Sequence, residues 1–191
     1  MIEFDAGTII QAAWIIFASY WFLAALRVNR VKQREPFGDT LVRIIIGVTA
    51  FLLIYSSDPR FRTLNSRFVP YAPWIRGLGA ALTSVGIAFA IWARNHIGRY
   101  WSSSVSLRAG HQLVRTGPYA RIRHPIYTGI LLALAGTALV IGRDRALLAF
   151  VIMLVGFAWK ASREEALLAR EFGPAFDEHK RLTGFFLPRL S

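Results

Sequence analysis

The stretch His111-Gln112-Leu113-Val114-Arg115-Thr116-Gly117-Pro118-Tyr119-Ala120-Arg121-Ile122-Arg123-His124-Pro125-Ile126-Tyr127-Thr128-Gly129 is polar, basic and rich in rings, and it lies between two apolar runs. Trp74 to Ala93, upstream, carries only Arg76, and Ile126 to Gly142, downstream, carries no charge at all. At about 1.5 Å rise per residue, helices of that length approach or span a hydrocarbon core of about 30 Å. The polar stretch therefore reads as a cofactor pocket held at a membrane surface by the spans on either side of it.

Working outward, three more runs have the same character. Thr8 to Leu26 contains no charge, Leu41 to Tyr55 carries Arg43 near its start, and Ala146 to Ala158 follows the tight polar turn Arg143-Asp144-Arg145. The fifth run continues without a breaker through Lys160, Glu164 and Glu165 to Phe172, where Gly173-Pro174 signals a helix stop. The expected fold is all-α: a single integral membrane domain over 1–191, polytopic, with about five transmembrane helices at 8–26, 41–55, 74–93, 126–142 and 146–160. Residues 94–125 and 161–191 are expected to form a cytosolic catalytic region. Trp74 and Trp92 read as interfacial anchors of the third span. Gly77, Gly79, Ala81, Gly86 and Ala90 would let another helix pack closely against it.

Composition agrees with this class. The chain is 54% hydrophobic and 18% charged, against about a quarter charged in soluble domains. The net charge of +12 has two common readings, nucleic acid and membrane surface. No nucleic-acid motif accompanies it, so the lipid bilayer is the expected partner. With no cysteine, a disulfide framework, a thiolate metal site and a cysteine nucleophile are excluded. Histidines and acids at ligand spacing are also missing, so no metal is expected. Met1 to Leu26 holds Glu3 and Asp5 but no Lys or Arg. It lacks the basic start of a signal peptide, and the first run is expected to remain in the mature protein. Most Lys and Arg residues fall in or beside the loops after the first, third and fifth runs. Arg60, Arg62, Arg67, Arg76, Arg143 and Arg145 fall on the other side. The positive-inside rule then puts the N-terminus outside and the C-terminus and pocket in the cytoplasm, in the inner membrane if the source is bacterial.

The order of residues in the opening stretch suggests what the pocket holds. Gly117-Pro118 forces a turn. His124 precedes a proline and so avoids helical geometry, while Pro125 suits the first helical position of the fourth span. The positive end of that helix suits a carboxylate or phosphate. Tyr119, His124 and Tyr127 offer flat rings with polar tips, and Glu164 can accept hydrogen bonds from ribose hydroxyls. A ligand with a carboxylate, a ribose and a planar base matches that set. Phe172, Phe176, Phe185 and Phe186 are available to lie on the bilayer or on the pocket. His96 and His179 read as interfacial, and Glu165 as a helix salt bridge with Arg163 or Arg170 or, alternatively, as a base.

The blocks Gly110-His111-Gln112-Leu113-Val114, Gly117-Pro118-Tyr119, Arg123-His124-Pro125-Ile126-Tyr127-Thr128-Gly129, and Glu164-Glu165 followed by Phe172-Gly173 resemble the isoprenylcysteine carboxyl methyltransferase and bacterial phospholipid methyltransferase families. The resemblance covers roughly Ile91 to Pro188. It implies an S-adenosyl-L-methionine-dependent methyltransferase, with the cofactor entering from the cytosol and a lipophilic methyl acceptor from the bilayer. Carried over position by position, it implies a cofactor site of His111, Gln112, Leu113, Val114, Tyr119, His124, Pro125, Ile126, Tyr127 and Glu164. It also implies an acceptor side at Lys160, where the carboxyl methyltransferases show arginine, with Arg163 and Glu165 beside it. Two other readings of the residues stand next to this one. An NADPH-dependent membrane reductase would use Arg108, Arg115 and Arg121 on a 2′-phosphate, and a non-enzymatic protein would bind anionic lipid through its basic loops.

Overall fold

The computed structural model describes residues 5–26, 37–55, 63–98 and 113–189. Among them the chain is helical: α1 (Ala6–Leu26), α2 (Phe37–Tyr55), α3 (Pro73–Ile97), α4 (Pro125–Ile141), α5 (Asp144–Phe172) and α6 (Pro174–Leu182), with a 3-10 turn at Gly117–Ala120. The protein is a polytopic integral membrane protein. α1, α2, α3 and α5 are long and apolar enough to cross a membrane. α4 has 17 residues, about 25 Å at 1.5 Å per residue, and lies along α3. The five expected spans are thus all present as helices, most of them longer than the apolar runs that betrayed them. α5 does run unbroken to Phe172, 29 residues in all, so its last turns extend beyond the apolar stretch.

The α3–α4 pair is the most closely packed part of the bundle. A Cβ added to Gly86 would lie 2.5 Å from both Ala133 N and Gly129 O, and one added to Gly129 would lie 2.6 Å from Gly86 O. The two backbones therefore touch directly, which is how helices associate where lipid tails offer no hydrophobic contrast. Gly79 and Gly136 repeat the arrangement one to two turns away. Only one side of the expected small-residue surface is used in this way. A Cβ added to Gly77 would meet nothing within 4 Å and Ala81 is exposed, because both sit on the face of α3 turned away from α4.

Buried hydroxyls tie the same layer together. The Thr83 hydroxyl lies 2.9 Å from Gly79 O and 3.1 Å from Ala133 O, and the Thr137 hydroxyl donates to Ala133 O at 2.9 Å. Trp14 Nε1–H donates to Thr137 Oγ1 at 2.9 Å and joins α1 to α4. These polar atoms have no water to return to at that depth, so pairing inside the protein is required. α2 packs mainly on α5, and Arg145 at the start of α5 donates to Leu53 O at 2.7 Å. At the same end, Phe68 N–H donates to Gly142 O and Asp144 N–H to Ser66 O, latching the loop before α3 onto the α4–α5 turn. Trp74 and Trp92 are 71% and 51% exposed and sit near opposite ends of α3, about 27 Å apart along its axis, as interfacial anchors should.

Candidate functional site

α4 begins where the opening stretch ends. His124 is the residue before its first turn, with φ −122° and ψ 58°, and Pro125 occupies the first helical position, so the first turn carries Ile126 and Tyr127 to the rim of the bundle. α5 runs antiparallel to α4, and its C-terminal turns pass the same rim. Two polar groups some forty residues apart in sequence meet there. Tyr127 O–H donates to Glu164 Oε1 at 2.7 Å. The His124 ring stands between two carboxylates, with Nδ1 3.7 Å from Glu164 Oε2 and Nε2 3.2 Å from Glu165 Oε1. The Lys160 ammonium lies 3.8 Å from Glu164 Oε1 and 5.3 Å from the Tyr127 ring centre. Tyr127 stacks on Phe157 at 4.8 Å and 14°, and His124 lies nearly parallel to Tyr127 at 5.7 Å.

Glu165 is held differently from its neighbour. It faces Arg123 Nε at 2.6 Å, His124 Nε2 at 3.2 Å and Lys180 Nζ at 3.2 Å. The expected pairing with Arg163 or Arg170 is thus replaced by partners from the loop before α4 and from α6. Arg163 points the other way, 3.6 Å from Asp39 of α2 and over the Trp159 ring, and is not gathered into the cluster.

Tyr119 lies in the 3-10 turn and packs against the end of α3. It is buried with Ala93, Ile126 and Val114, its hydroxyl 3.4 Å from Ala93 O. Burial raises the pKa of that hydroxyl well above the ordinary phenol value, so it stays protonated. Gly117 has φ of +57° and lies under His96, where an added Cβ would meet the imidazole at 2.5 Å. His96 is exposed, with Nε2 2.9 Å from Thr116 Oγ1. Leu113 is half-buried, and Pro125 and Ile126 are buried. His111 and Gln112 lie outside the described residues.

Of the two places the sequence leaves open for the tail phenylalanines, bilayer or pocket, Phe185 and Phe186 take the second. Residues after α6 form a short parallel bridge, Ile122 with Gly184. Arg123 N–H donates to Gly184 O at 2.9 Å and His124 N–H to Phe185 O at 3.3 Å. Thr128 O–H donates to Phe186 O at 2.6 Å, and the Phe185 and Phe186 rings lie 5.0 and 6.2 Å from the His124 ring. The Arg123 guanidinium also donates to Lys180 O and Thr183 O. Of the four phenylalanines, these two lie on the site, and Phe176 is buried beneath α6. His179, expected at the interface, is only 5% exposed. α6 turns it inward, since Phe176 and His179 lie one turn apart on its packed face. The signal for the tail was the Thr183-Gly184 break followed by two aromatics. Among the described residues, no set of three or more His, Asp or Glu is arranged to hold a metal ion.

The family model of the isoprenylcysteine carboxyl methyltransferase (ICMT) family matches residues 79–170. The chain is 34% identical over 117 residues to the nickel-cobalt-cadmium resistance protein NccN of Alcaligenes xylosoxydans xylosoxydans, covering 60% of this chain and 53% of that one. It is 30% identical over 109 residues to the protein-S-isoprenylcysteine O-methyltransferase of Schizosaccharomyces pombe, covering 49% and 46%. The chain thus spans about half the length of these curated relatives. Its fold is similar to that of the eukaryotic intramembrane Ras methyltransferase ICMT, with a TM-score of 0.63 at 20% identity, over 98% of this chain and 69% of that one. The stretch that matches this family model, residues 79–170, is the one that carries the Tyr127, His124 and Glu164 cluster.

Proposed function

We propose that the protein is an S-adenosyl-L-methionine-dependent methyltransferase that modifies a carboxylate or amine of a prenylated or lipid acceptor at the membrane–cytosol interface. The observation that carries this reading is the meeting of Tyr127, His124 and Glu164 under Lys160, inside the family-matched region. The residues suit such a cofactor. Glu164 is partly open, its side chain 21% exposed, and its remaining lone pairs can accept ribose hydroxyls. The partly open Glu164 carboxylate favours a cationic centre. Tyr119, Val114, Pro125 and Ile126 supply the apolar wall, and we assign His111, Gln112 and Leu113 to the same pocket from the family pattern.

S-adenosyl-L-methionine supplies an already activated methyl group on a sulfonium. The chain's task is then to align the acceptor and exclude water, and positioning of this kind is worth about 7–11 kcal/mol of a barrier. Glu164 fixes Tyr127 through their hydrogen bond, and the two carboxylates fix the His124 ring. Lys160 presents a cation above the Tyr127 ring, placed to meet an anionic acceptor group arriving from the bilayer. A lysine is a point charge where arginine would be a fork, which suits an acceptor without a planar two-point contact. Glu165 is committed to Arg123, Lys180 and the His124 ring, so we assign it to holding His124 rather than to removing a proton. Arg163 is assigned no catalytic part. The reductase reading loses ground because Arg115 is turned onto α6, donating to Glu178 at 3.0 Å and to Ala175 O.

Isothermal titration of purified protein in detergent tests the proposal. Saturable binding of S-adenosylhomocysteine, weakened in Glu164→Ala and His124→Ala, is expected. Binding of NADPH without any response to S-adenosylhomocysteine would overturn it. For orientation we propose an outside N-terminus and a cytoplasmic site. Ser162→Cys, exposed on α5, should then react with impermeant thiol reagents only from the cytoplasmic side, and Ser66→Cys only from the other.

A further inference from the structure

At the end of the bundle opposite Glu164, a groove of about 600 Å³ opens between α1 and α3. Its floor is apolar, made by Ile9 of α1 and by Gly77, Ala80, Ala81 and Ser84, which follow one face of α3. Gly77 has open space where a side chain would stand, so among the described residues none covers this face of α3 at that point. The mouth is different in kind. Tyr71, 67% exposed, has two guanidiniums near its ring, Arg67 at 5.2 Å and Arg76 at 5.0 Å from its centre. Arg76 donates to Val140 O at 3.3 Å and to Asp5 Oδ1 at 2.6 Å. That carboxylate is itself 62% exposed. Exposed Trp74 lies on the first turn of α3, next in sequence to Pro73 of the groove lining, and an aromatic there suits the level of the headgroups.

We propose that this groove is a binding site for one anionic phospholipid of the leaflet opposite the catalytic site. One acyl chain lies along Ile9, Gly77 and Ala81, and the phosphate lies between Arg67 and Arg76. The occupant follows from position and charge. An apolar groove facing the hydrocarbon region between two spans is filled by a lipid chain, because water has no partners there. Two arginines against one exposed carboxylate then select the headgroup. Asp5 acts as a competitor: it occupies an Nη2 donor of Arg76 that a phosphate oxygen would otherwise take. The proposal is independent of the methyl-transfer reading.

The test uses the delipidated full chain in detergent, with thermal stability and native mass spectrometry as readouts. The probes are dioleoylphosphatidylglycerol, dioleoylphosphatidylcholine and inorganic phosphate. Phosphatidylglycerol should bind saturably and more tightly than phosphatidylcholine, and inorganic phosphate should have no effect. Arg67→Gln should reduce the preference for phosphatidylglycerol about five-fold, the effect of one surface arginine on an anionic lipid. Asp5→Asn should increase it, although it breaks an ion pair; a purely structural bridge gives the opposite sign. Gly77→Leu should abolish binding of both lipids while leaving the lipid-free melting temperature unchanged, since its side chain enters open space. Equal affinity for the two lipids, an unchanged preference in Arg67→Gln, a weakened one in Asp5→Asn, or competition by inorganic phosphate would each overturn the proposal.

Discussion

Glu165→Ala should be among the most damaging single substitutions outside the membrane core. The carboxylate and the Arg123 side chain are each only 10% exposed, and they meet at 2.6 Å. Removing one partner of such a pair leaves the other charge buried, at a cost of about 3–5 kcal/mol. Lys180 is 54% exposed, so its loss adds only about 0.2–1 kcal/mol. For a chain of this size each kcal/mol moves the melting temperature by about 2–4 °C, which gives a fall of roughly 6–24 °C. Differential scanning fluorimetry in a single detergent measures it. Arg123→Met combined with Glu165→Leu should recover part of the loss, with a coupling energy above about 1 kcal/mol. A fall under 2 °C, or strictly additive effects, would refute the claim that Glu165 ties the pre-α4 loop, α6 and His124 together.

Glu164→Gln keeps the shape but removes the charge facing Tyr127 and Lys160. It should weaken S-adenosylhomocysteine binding about 10–100-fold, the range of a charged hydrogen bond, with little change in melting temperature; unaltered affinity by titration calorimetry would remove Glu164 from the site. Gly86→Val forces a side chain onto the α4 backbone and should cost at least about 3 kcal/mol, seen as loss of monodisperse protein on size exclusion, and wild-type behaviour would contradict the direct backbone contact. Burial first, then the charges of Arg115 and Arg123, hold the His179 imidazole below its usual pKa. The unfolded chain therefore takes up the proton first, and the stability His179 contributes is complete above about pH 6.5 and is lost as pH falls below it. Melting curves between pH 8 and pH 5 should show a steeper acid loss for wild type than for His179→Gln, and parallel curves would count against it.

Much of the architecture was legible because a bilayer demands long uncharged helices, and five such runs were plain in the sequence. The continuation of α5 to Phe172 was legible for a simple reason: no proline interrupts the run before Gly173-Pro174, and no polar turn breaks it. The meeting of Tyr127 with Glu164 followed from placing both polar groups at one end of an antiparallel pair. Partner assignment around Glu165 was not legible. Arg163 and Glu165 are two residues apart, so at about 100° per residue they project about 200° apart around α5. Arg163 consequently reaches Asp39, and the true partners come from segments whose approach depends on tertiary packing. Gly77 and Ala81 fail as packing positions for the same kind of reason, since small residues occur on more than one face of α3. His179 was misplaced because a nine-residue helix gives too little pattern to say which side is packed.

The bridge between Ile122 and Gly184 gives the protein a timing. Translation delivers Gly184 to Phe186 only after α1 to α6 have been made, yet their carbonyls receive the N–H groups of Arg123 and His124 and the hydroxyl of Thr128. A nascent chain halted after α5 would already hold α1 to α5, but the N–H groups of Arg123 and His124 would still lack these acceptors. A protein clipped before Gly184 would keep α1 to α6 and lose the carbonyls that receive Arg123, His124 and Thr128.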